Sequence, residues 1–478
     1  MKNRIARILF RLILTALAGP VSAFAQETQA PVLTLNEFLV LVQSNHPIAK
    51  QIGLLSDRAQ AQLQLARGGF DPKLYGAYDD KLYDQKNYWR VFESGVKIPT
   101  GLAAEIKGGY VWNDGSFLNP EQNLPVQGQA VMGISVPLGQ GLFIDPRRAA
   151  LQQARIFQAM AEVEQVRLLN DLFFDAARIY WEWAAAWARL QLLQDAVSAS
   201  EQRFQAVRAT FFAGDYAGID TTEALTQLQN FQLQENEATI DFLNAGFALS
   251  NFLWTDEGQP LEITAALRPV TLAGLPLPPL VSDERLALAL EGLGSHPEVR
   301  VYDFKQSELD VERRLKIERL KPTVDLEYNF LSPGTAFMGE NFSGDWQWGQ
   351  NYKWGLSVDF PLFLRKERGD LALTRIKMQE NEWQQDLKRQ AVANKILAYI
   401  NELRVLREQV QLSLDAVENY RRLLEGEEIK FRAGESTLFL INAREMTRIG
   451  AEIKLLELRS KLFKAEAGLI WAMAAPRN

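Results

Sequence analysis

Residues 211–220 read FFAGDYAGID, and a related segment, FRAGESTLFL, occupies residues 431–440. Each contains a glycine, Gly214 or Gly434, between long runs without proline, which indicates two helices joined by a tight reversal. Three further landmarks recur in the same order: Asn45-His46-Pro47 with Ser295-His296-Pro297, Pro72 with Pro322, and Val136-Pro137-Leu138 with Phe360-Pro361-Leu362. This shared order predicts an internal two-fold repeat.

The repeat divides the chain into a first copy at residues 26–254 and a second copy at residues 282–478. The linker between them, residues 255–281, contains five prolines, too many for a helix or a central strand. Each copy is predicted to run helix, strands, long helix, tip turn, helix. The tip turns are placed at residues 213–220 and 433–439.

The segments around the tips have the pattern of long helices with a narrow buried seam. Apolar residues recur three and four positions apart, as in Leu403, Leu406 and Val410. At about 1.5 Å per residue, the longest predicted helices reach about 100 Å. In each copy one long helix is matched in length by two shorter helices stacked end to end, which predicts an antiparallel coiled-coil rod. The predicted helices are 147–212 against 47–68 and 218–254, and 366–432 against 297–320 and 436–474.

Strands of alternating character interrupt these helices, within about residues 73–137 and 322–362. Residues 323–330, 353–360 and 130–136 alternate apolar and polar side chains, and residues 74–82 do so less regularly. Such segments are typical of a membrane barrel with a wet lumen. A soluble sheet packed on one side is the alternative, but strands between helices this long have little helical surface to cover them. We therefore predict a barrel. A few strands cannot close one, and an open edge is not tolerated in lipid, so several chains must share it.

The N-terminus has the features of an export signal. Four cations flank the apolar run at residues 8–18, and Ala23-Phe24-Ala25 is a signal-peptidase pattern, so residues 1–25 are predicted to be a signal peptide. Without them the formal charge moves from −7 to about −11, which argues against a nucleic-acid partner. The chain has no cysteine, which excludes disulfides, thiolate metal sites and an N-terminal lipid-modified cysteine.

At this point the sequence resembles the TolC-type outer-membrane efflux family over nearly its whole mature length. The resemblance rests on Leu33-Thr34-Leu35-Asn36-Glu37 with Asn45-His46-Pro47, on the repeat, and on the two glycine turns. It implies a homotrimer in the outer membrane of a Gram-negative bacterium, with a 12-stranded barrel, four strands per chain, above a periplasmic α-helical tunnel. It also implies that a periplasmic adaptor docks at the tips and that an inner-membrane pump delivers cargo there. The docking candidates are Gly214, Asp215, Gly434 and Glu435.

Two departures from the family pattern bear on these expectations. The first copy has 26 more residues between its prolines at 72 and 137 than the second has between 322 and 361. This excess includes a hairpin-like pair, 92–98 and 102–112, that is either an external loop or additional barrel strands. Family members often narrow the tunnel with aspartates past the second tip, but Leu440 and Ala443 stand there. The resemblance leaves Asp220 and Glu223, past the first tip, as gate candidates.

No constellation for catalysis, metal or cofactor binding is present. The only histidines, His46 and His296, occupy equivalent positions before proline, which favours a shared structural turn over a metal site. Aromatic residues at 180, 181, 183 and 187 have helical spacing and are expected to pack between helices. Another aromatic group flanks a strand and forms either an interfacial belt or loop packing: Trp346, Trp348, Tyr352 and Trp354. The predicted function is an outer-membrane channel for efflux or secretion. A periplasmic coiled-coil scaffold without a pore is the alternative, and the sequence does not identify the cargo.

Overall fold

The computed structural model describes residues 31–263, 267–334 and 349–474. The predicted signal peptide and the tryptophans at 346 and 348 lie outside these ranges. Eight α-helices occur in the described chain. They are α1 (Leu35–Asn45), α2 (Pro47–Gly68), α3 (Pro146–Phe212), α4 (Gly218–Ser250), α5 (Asp283–Glu291), α6 (Pro297–Glu318), α7 (Arg365–Arg432) and α8 (Leu438–Ala472).

Helices α3 and α7 are the longest, at 67 and 68 residues, and run the length of the helical part. Each lies against two shorter helices placed end to end: α2 and α4 pack on α3, and α6 and α8 pack on α7. Because α6 and α8 also contact α3, the helices form one layer, with α2 and α4 along one edge and α7 along the other. No helix of the described residues is both long and apolar enough to cross a membrane.

Local signals set the ends of the helices. Thr34 accepts a hydrogen bond from the Glu37 amide and Glu37 caps the Thr34 amide, so the predicted capping box begins α1. His46 and His296 each cap the following helix through Nδ1, at 3.2 Å from the amides of Ile48 and Glu298. The proline after each histidine suits the first helical turn, where its missing N–H costs nothing.

One antiparallel sheet of six strands continues the helix layer at the end opposite the tips. From one edge to the other, its strands begin at residues 73, 86, 105, 129, 323 and 352. The strands are β2 (Lys73–Tyr83), β3 (Lys86–Pro99), β4 (Glu105–Asp114), β5 (Gln129–Pro137), β7 (Thr323–Pro333) and β8 (Tyr352–Asp359), while β1 (Val32–Leu33) and β6 (Arg268–Pro269) form a separate parallel pair. The sheet therefore has six strands, whereas the family resemblance implies four barrel strands per chain. The extra hairpin of the first half supplies β3 and β4, because its side chains alternate and its backbone pairs on both sides.

The linker lies across the middle of the helix layer. Arg459 of α8 is buried and donates hydrogen bonds to the carbonyls of Leu272 and Ala273, at 2.6 and 2.8 Å. Nearby, Tyr180 is fully buried and donates to the Leu33 carbonyl at 2.7 Å. Burial raises the pKa of the Tyr180 hydroxyl to about 12. The Arg459 bonds hold the proline-rich segment on the helices although it has little regular structure of its own, and the Tyr180 bond holds the residues just before α1.

Candidate functional site

The two tip turns end the helix layer on the side away from the sheet. Gly214 and Gly434 have φ of +89° and +80°, the left-handed region that glycine enters without strain. The amides of Asp215 and Glu435 donate to carbonyls five residues earlier, at 3.2 and 2.9 Å. A left-handed glycine with this backbone bond is the Schellman ending of a helix. All four predicted docking residues are exposed there.

A small apolar cluster holds the two tips side by side. Val207, Ala224 and Leu438 are its buried members. Tyr216 from the first turn lies beside Phe431 from the end of α7, with ring centroids 6.3 Å apart. The first and second tips therefore form one structural unit.

The gate candidate Asp220 has a local role in this structure. It lies in the first turn of α4, and its carboxylate accepts a hydrogen bond from the Ala217 amide at 3.1 Å. An acidic side chain here also favours the positive end of the helix dipole. Asp220 therefore stabilises the start of α4, and its side chain remains partly exposed.

The other gate candidate, Glu223, belongs to a polar cluster that joins three helices. Its carboxylate accepts a hydrogen bond from Asn442 of α8 at 3.3 Å. Arg203 of α3 donates to the same Asn442 and forms a two-point ion pair with Glu445, one bond of which measures 2.9 Å. Glu445 is only 3% exposed. We call Arg203, Glu223, Asn442 and Glu445 the tip clasp.

Sequence reasoning missed Arg203 and Glu445. They lie 242 positions apart, and single charged residues on long helices carry no signal of their partner. Only the packing of α3 against α8 brings them together. Glu223 was named from its position one turn beyond Asp220, without any indication that it contacts the second half of the chain.

A second polar cluster lies beside the second tip. Glu427, near the end of α7, accepts a 2.6 Å hydrogen bond from the Ser436 hydroxyl, and Arg444 of α8 lies 3.7 Å away. The Ser436 hydrogen bond, helped by nearby Lys430 and Arg444, holds the pKa of the Glu427 carboxyl below its usual value. Ionised Glu427 therefore ties the turn to both helices that it connects.

At the opposite end, the sheet has one apolar and one polar face. The strand register places Tyr328 opposite Ile134 and Trp354, and all three side chains belong to the same face. The other face carries charges of both signs; Lys107 and Glu327, for example, form an ion pair on it. This arrangement gives an apolar surface on one side and a hydrated surface on the other.

The histidines and the aromatic cluster singled out in the sequence have structural roles. Burial lowers the pKa of both capping histidines, which favours their neutral form. Tyr180 and Trp183 are fully buried, and Trp181 stacks on Phe463 at 4.5 Å, so these aromatic residues pack between helices as expected. No group of three or more acidic or histidine side chains with metal-binding geometry occurs in residues 31–263, 267–334 and 349–474.

Comparison with known proteins supports a channel fold. Residues 291–475 match the model of the family described as outer membrane efflux protein. No curated protein matches the sequence significantly. The MtrE outer membrane channel of Neisseria gonorrhoeae, solved in its open state, has a TM-score of 0.67 at 13% identity over 96% of this chain and 95% of its own.

Two further solved structures have the same fold. The outer membrane protein VceC of Vibrio cholerae has a TM-score of 0.65 at 15% identity, covering 92% of this chain and 96% of its own. The CmeC outer membrane channel of Campylobacter jejuni has a TM-score of 0.63 at 14% identity, covering 96% and 93%. The family resemblance predicted from the sequence is confirmed.

Proposed function

We propose that this chain, whose residues 291–475 match the outer membrane efflux family and whose fold is that of outer-membrane channels, is one subunit of a trimeric export channel. The sheets of three copies close into a barrel in the outer membrane, and the helix layers close into a tunnel through the periplasm. Cargo from an inner-membrane pump and its periplasmic adaptor passes through without chemistry. The predicted signal peptide directs each copy to this location.

The observation that carries the proposal concerns the two lateral edges of the chain. Both the sheet and the helix layer have an unpaired edge on each of these two sides. In the described residues, β2 and β8 each pair with one neighbour only. The helix edges bear exposed apolar side chains three, four and seven residues apart, as in a coiled-coil seam. They include Leu233, Ile240, Leu243 and Phe247 on α4, and Ile376, Trp383, Leu387, Val405 and Leu412 on α7.

The two edges are formed by different elements, so one edge of a copy would pack against the opposite edge of the next copy. One side consists of β2, α2 and α4, and the other of β8 and α7. Contact between unlike edges is head-to-tail, and such contacts generate a ring when the rotation closes. A second copy is thus the natural partner for each edge, and the family resemblance suggests three copies per ring.

The apolar face of the sheet supports a membrane position. Trp354, Leu356 and Val358 on β8 are 60%, 53% and 64% exposed. At the junction with the helices, Phe143 and Phe363 are also exposed, which is the position of an aromatic girdle in a membrane barrel. A periplasmic scaffold would present this face to water, at the cost of about 25 cal/mol for each Å² of apolar surface.

In this proposal the tips form both the gate and the docking surface. The tip clasp holds α3, α4 and α8 together and keeps the tunnel closed, with Glu223 inside the clasp and Asp220 supporting the adjacent turn. The exposed turns, with Gly214, Asp215, Gly434 and Glu435, are the surface that meets the adaptor. Opening separates the tips without any covalent step.

Membrane extraction and bilayer recording test the proposal together. The exported protein is expected to remain with the outer membrane after washing with salt, to dissolve only in detergent, and to have the mass of three chains there. In planar bilayers it should conduct ions weakly. A monomer released without detergent, or a preparation that never conducts even in variants of the tip clasp, would contradict the proposal.

A further inference from the structure

The additional hairpin of the first half, β3 and β4, is built into the sheet. A single line of register partners runs across all six strands: Lys73, Lys97, Lys107, Gly133, Asn329 and Lys353. The hairpin therefore separates β2 from β5. Without it, the four remaining strands each continue directly into one of the long helices α2, α3, α6 and α7.

The hairpin has the same two faces as the rest of the sheet. Val96 on β3 and Ile106 on β4 lie on the apolar face, in register with Leu74 and Ile134 of the flanking strands. The opposite face of the hairpin carries the charged residues Glu93, Lys97 and Lys107, together with the apolar residues Trp89, Val91 and Val111. On the apolar face, Asp80, Arg90 and Asp114 are register partners and form a charged row toward the end away from the helices. A loop in water has no need for this alternation.

A tyrosine fastens the hairpin to its neighbour. Tyr75 of β2 lies across Gly95 of β3 and Gly109 of β4, where an added Cβ would come within 2.8 and 3.0 Å of its hydroxyl oxygen. A side chain at either glycine would also meet backbone atoms of the adjacent strand, at 2.5 and 2.7 Å. These glycines make room for one aromatic side chain that spans three strands.

The stagger of the sheet has the value of a closed barrel. The line of register partners begins at Lys73, the residue of β2 nearest the helices, and reaches β8 at Lys353. The residue of β8 nearest the helices is Asp359, six residues further along the strand. Six residues over five strand steps, at about 3.3 Å per residue and about 4.8 Å between strands, correspond to a tilt of about 40°. Closed barrels have strand tilts of about 35–45°.

The widths of the sheet and of the helix layer then agree. Six strands with this tilt cover about 38 Å of circumference, whereas four would cover about 25 Å. The helix layer is four helices wide where it meets the sheet, α2, α3, α6 and α7, and spans about 32–40 Å at 8–10 Å per helix. We infer that three copies form a barrel of eighteen strands, six from each chain, as wide as the helical tunnel below it.

This inference rests on the proposed function and adds the width of the barrel. An eighteen-stranded barrel with this tilt has a backbone radius of about 18 Å, against about 12 Å for twelve strands. The enclosed backbone cross-section is therefore about twice as large. The wider barrel therefore matches the tunnel in width and does not narrow the path where the two meet.

Cysteine labelling in intact outer membranes tests the position of the hairpin, since the chain has no cysteine of its own. Val96→Cys and Ile106→Cys test the apolar face, and Lys97→Cys tests the polar face. The matched controls on β8 are Leu356→Cys, on the apolar face, and Ser357→Cys, on the polar face. The probe is a membrane-impermeant maleimide of small size.

In an eighteen-stranded barrel, labelling at 96 and 106 should be at least about tenfold slower than at 97, because the reactive thiolate does not form in hydrocarbon. The β8 controls should show the same ratio. If 356 and 357 differ but 96, 97 and 106 react alike, the hairpin is outside the barrel and this inference is wrong. If 356 and 357 also react alike, the proposed membrane barrel itself is wrong.

Discussion

Replacing Arg203 with leucine should open the tips of the tunnel. The substitution removes the cation of the tip clasp and leaves the apolar part of the side chain in place. Glu445 then keeps its buried position without an ion-pair partner from α3, and Asn442 loses its contact with the same helix. The contact between α3 and α8 near the tips is thereby weakened, while each helix retains its own backbone hydrogen bonds.

The free-energy cost of Arg203→Leu depends on how deeply Glu445 and Arg203 are buried. Glu445 is 3% exposed, and removing one partner of a buried ion pair costs about 3–5 kcal/mol. The Arg203 side chain is still 21% exposed, so water relieves part of this cost, and we expect about 2–3 kcal/mol per subunit. At about 1.4 kcal/mol for each factor of ten, the ratio of open to closed tips rises about 30- to 150-fold.

Planar-bilayer recording measures this ratio as the current that flows before any voltage-induced opening. Arg208→Leu is the matched control, because Arg208 lies on the same helix but its side chain is exposed over the Phe212 ring. Arg203→Leu combined with Glu445→Leu should recover part of the closure, since no unpaired buried charge remains. If Arg203→Leu folds into trimers and its resting current equals that of the unsubstituted protein, the tip clasp does not hold the tunnel closed.

Three further outcomes are expected. The pKa of Glu427 is lowered in the folded protein, so its stabilisation of the second tip is complete above the unfolded pKa and is lost as the pH falls through the folded value. The resting current should therefore rise over this acidic range, and Glu427→Gln should abolish that rise. A rise that is unchanged in Glu427→Gln would exclude Glu427 as its cause. Gly214→Ala and Gly434→Ala should each lower the free energy of unfolding by about 1–2 kcal/mol because of their positive φ, whereas Gly246→Ala in the middle of α4 should not. Equal effects in thermal unfolding at all three positions would refute the strain argument. Arg459→Leu should destabilise the protein by about 2–3 kcal/mol through lost bonds to the linker carbonyls, and should expose the linker to protease; full protease resistance would contradict this role.

Much of the helical architecture could be predicted from local signals. A proline begins three of the helices, α2, α3 and α6, and the predicted helix at residues 147–212 is observed at Pro146–Phe212. Helix α4 ends at Ser250 instead of 254, because Phe252 and Trp254 leave the helix to pack on His46. Such tertiary contacts override the local preference of the chain and are not visible in a single sequence.

The strand count was harder to predict because glycines obscure the alternation. Gly95 on β3 and Gly108 with Gly109 on β4 break the apolar and polar pattern that is regular in residues 323–330. Gly95 and Gly109 make room for the close approach of Tyr75, which the sequence does not reveal, whereas an added Cβ at Gly108 would meet nothing within 4 Å. The tip clasp was missed for a similar reason, since its members come from three helices that only the folded chain brings together.

The joints between the short helices have a mechanical consequence. The break between α2 and α4 lies at His46 and Phe252, and the break between α6 and α8 lies at His296, next to the end of α8. Both breaks fall in the middle of the layer, where only α3 and α7 are continuous. At this level only two continuous helices per subunit resist a twist applied at the tips, so the layer is easier to twist here than above or below. We expect torsion to be absorbed there, so that the tips can rotate while the strands in the lipid keep their shape.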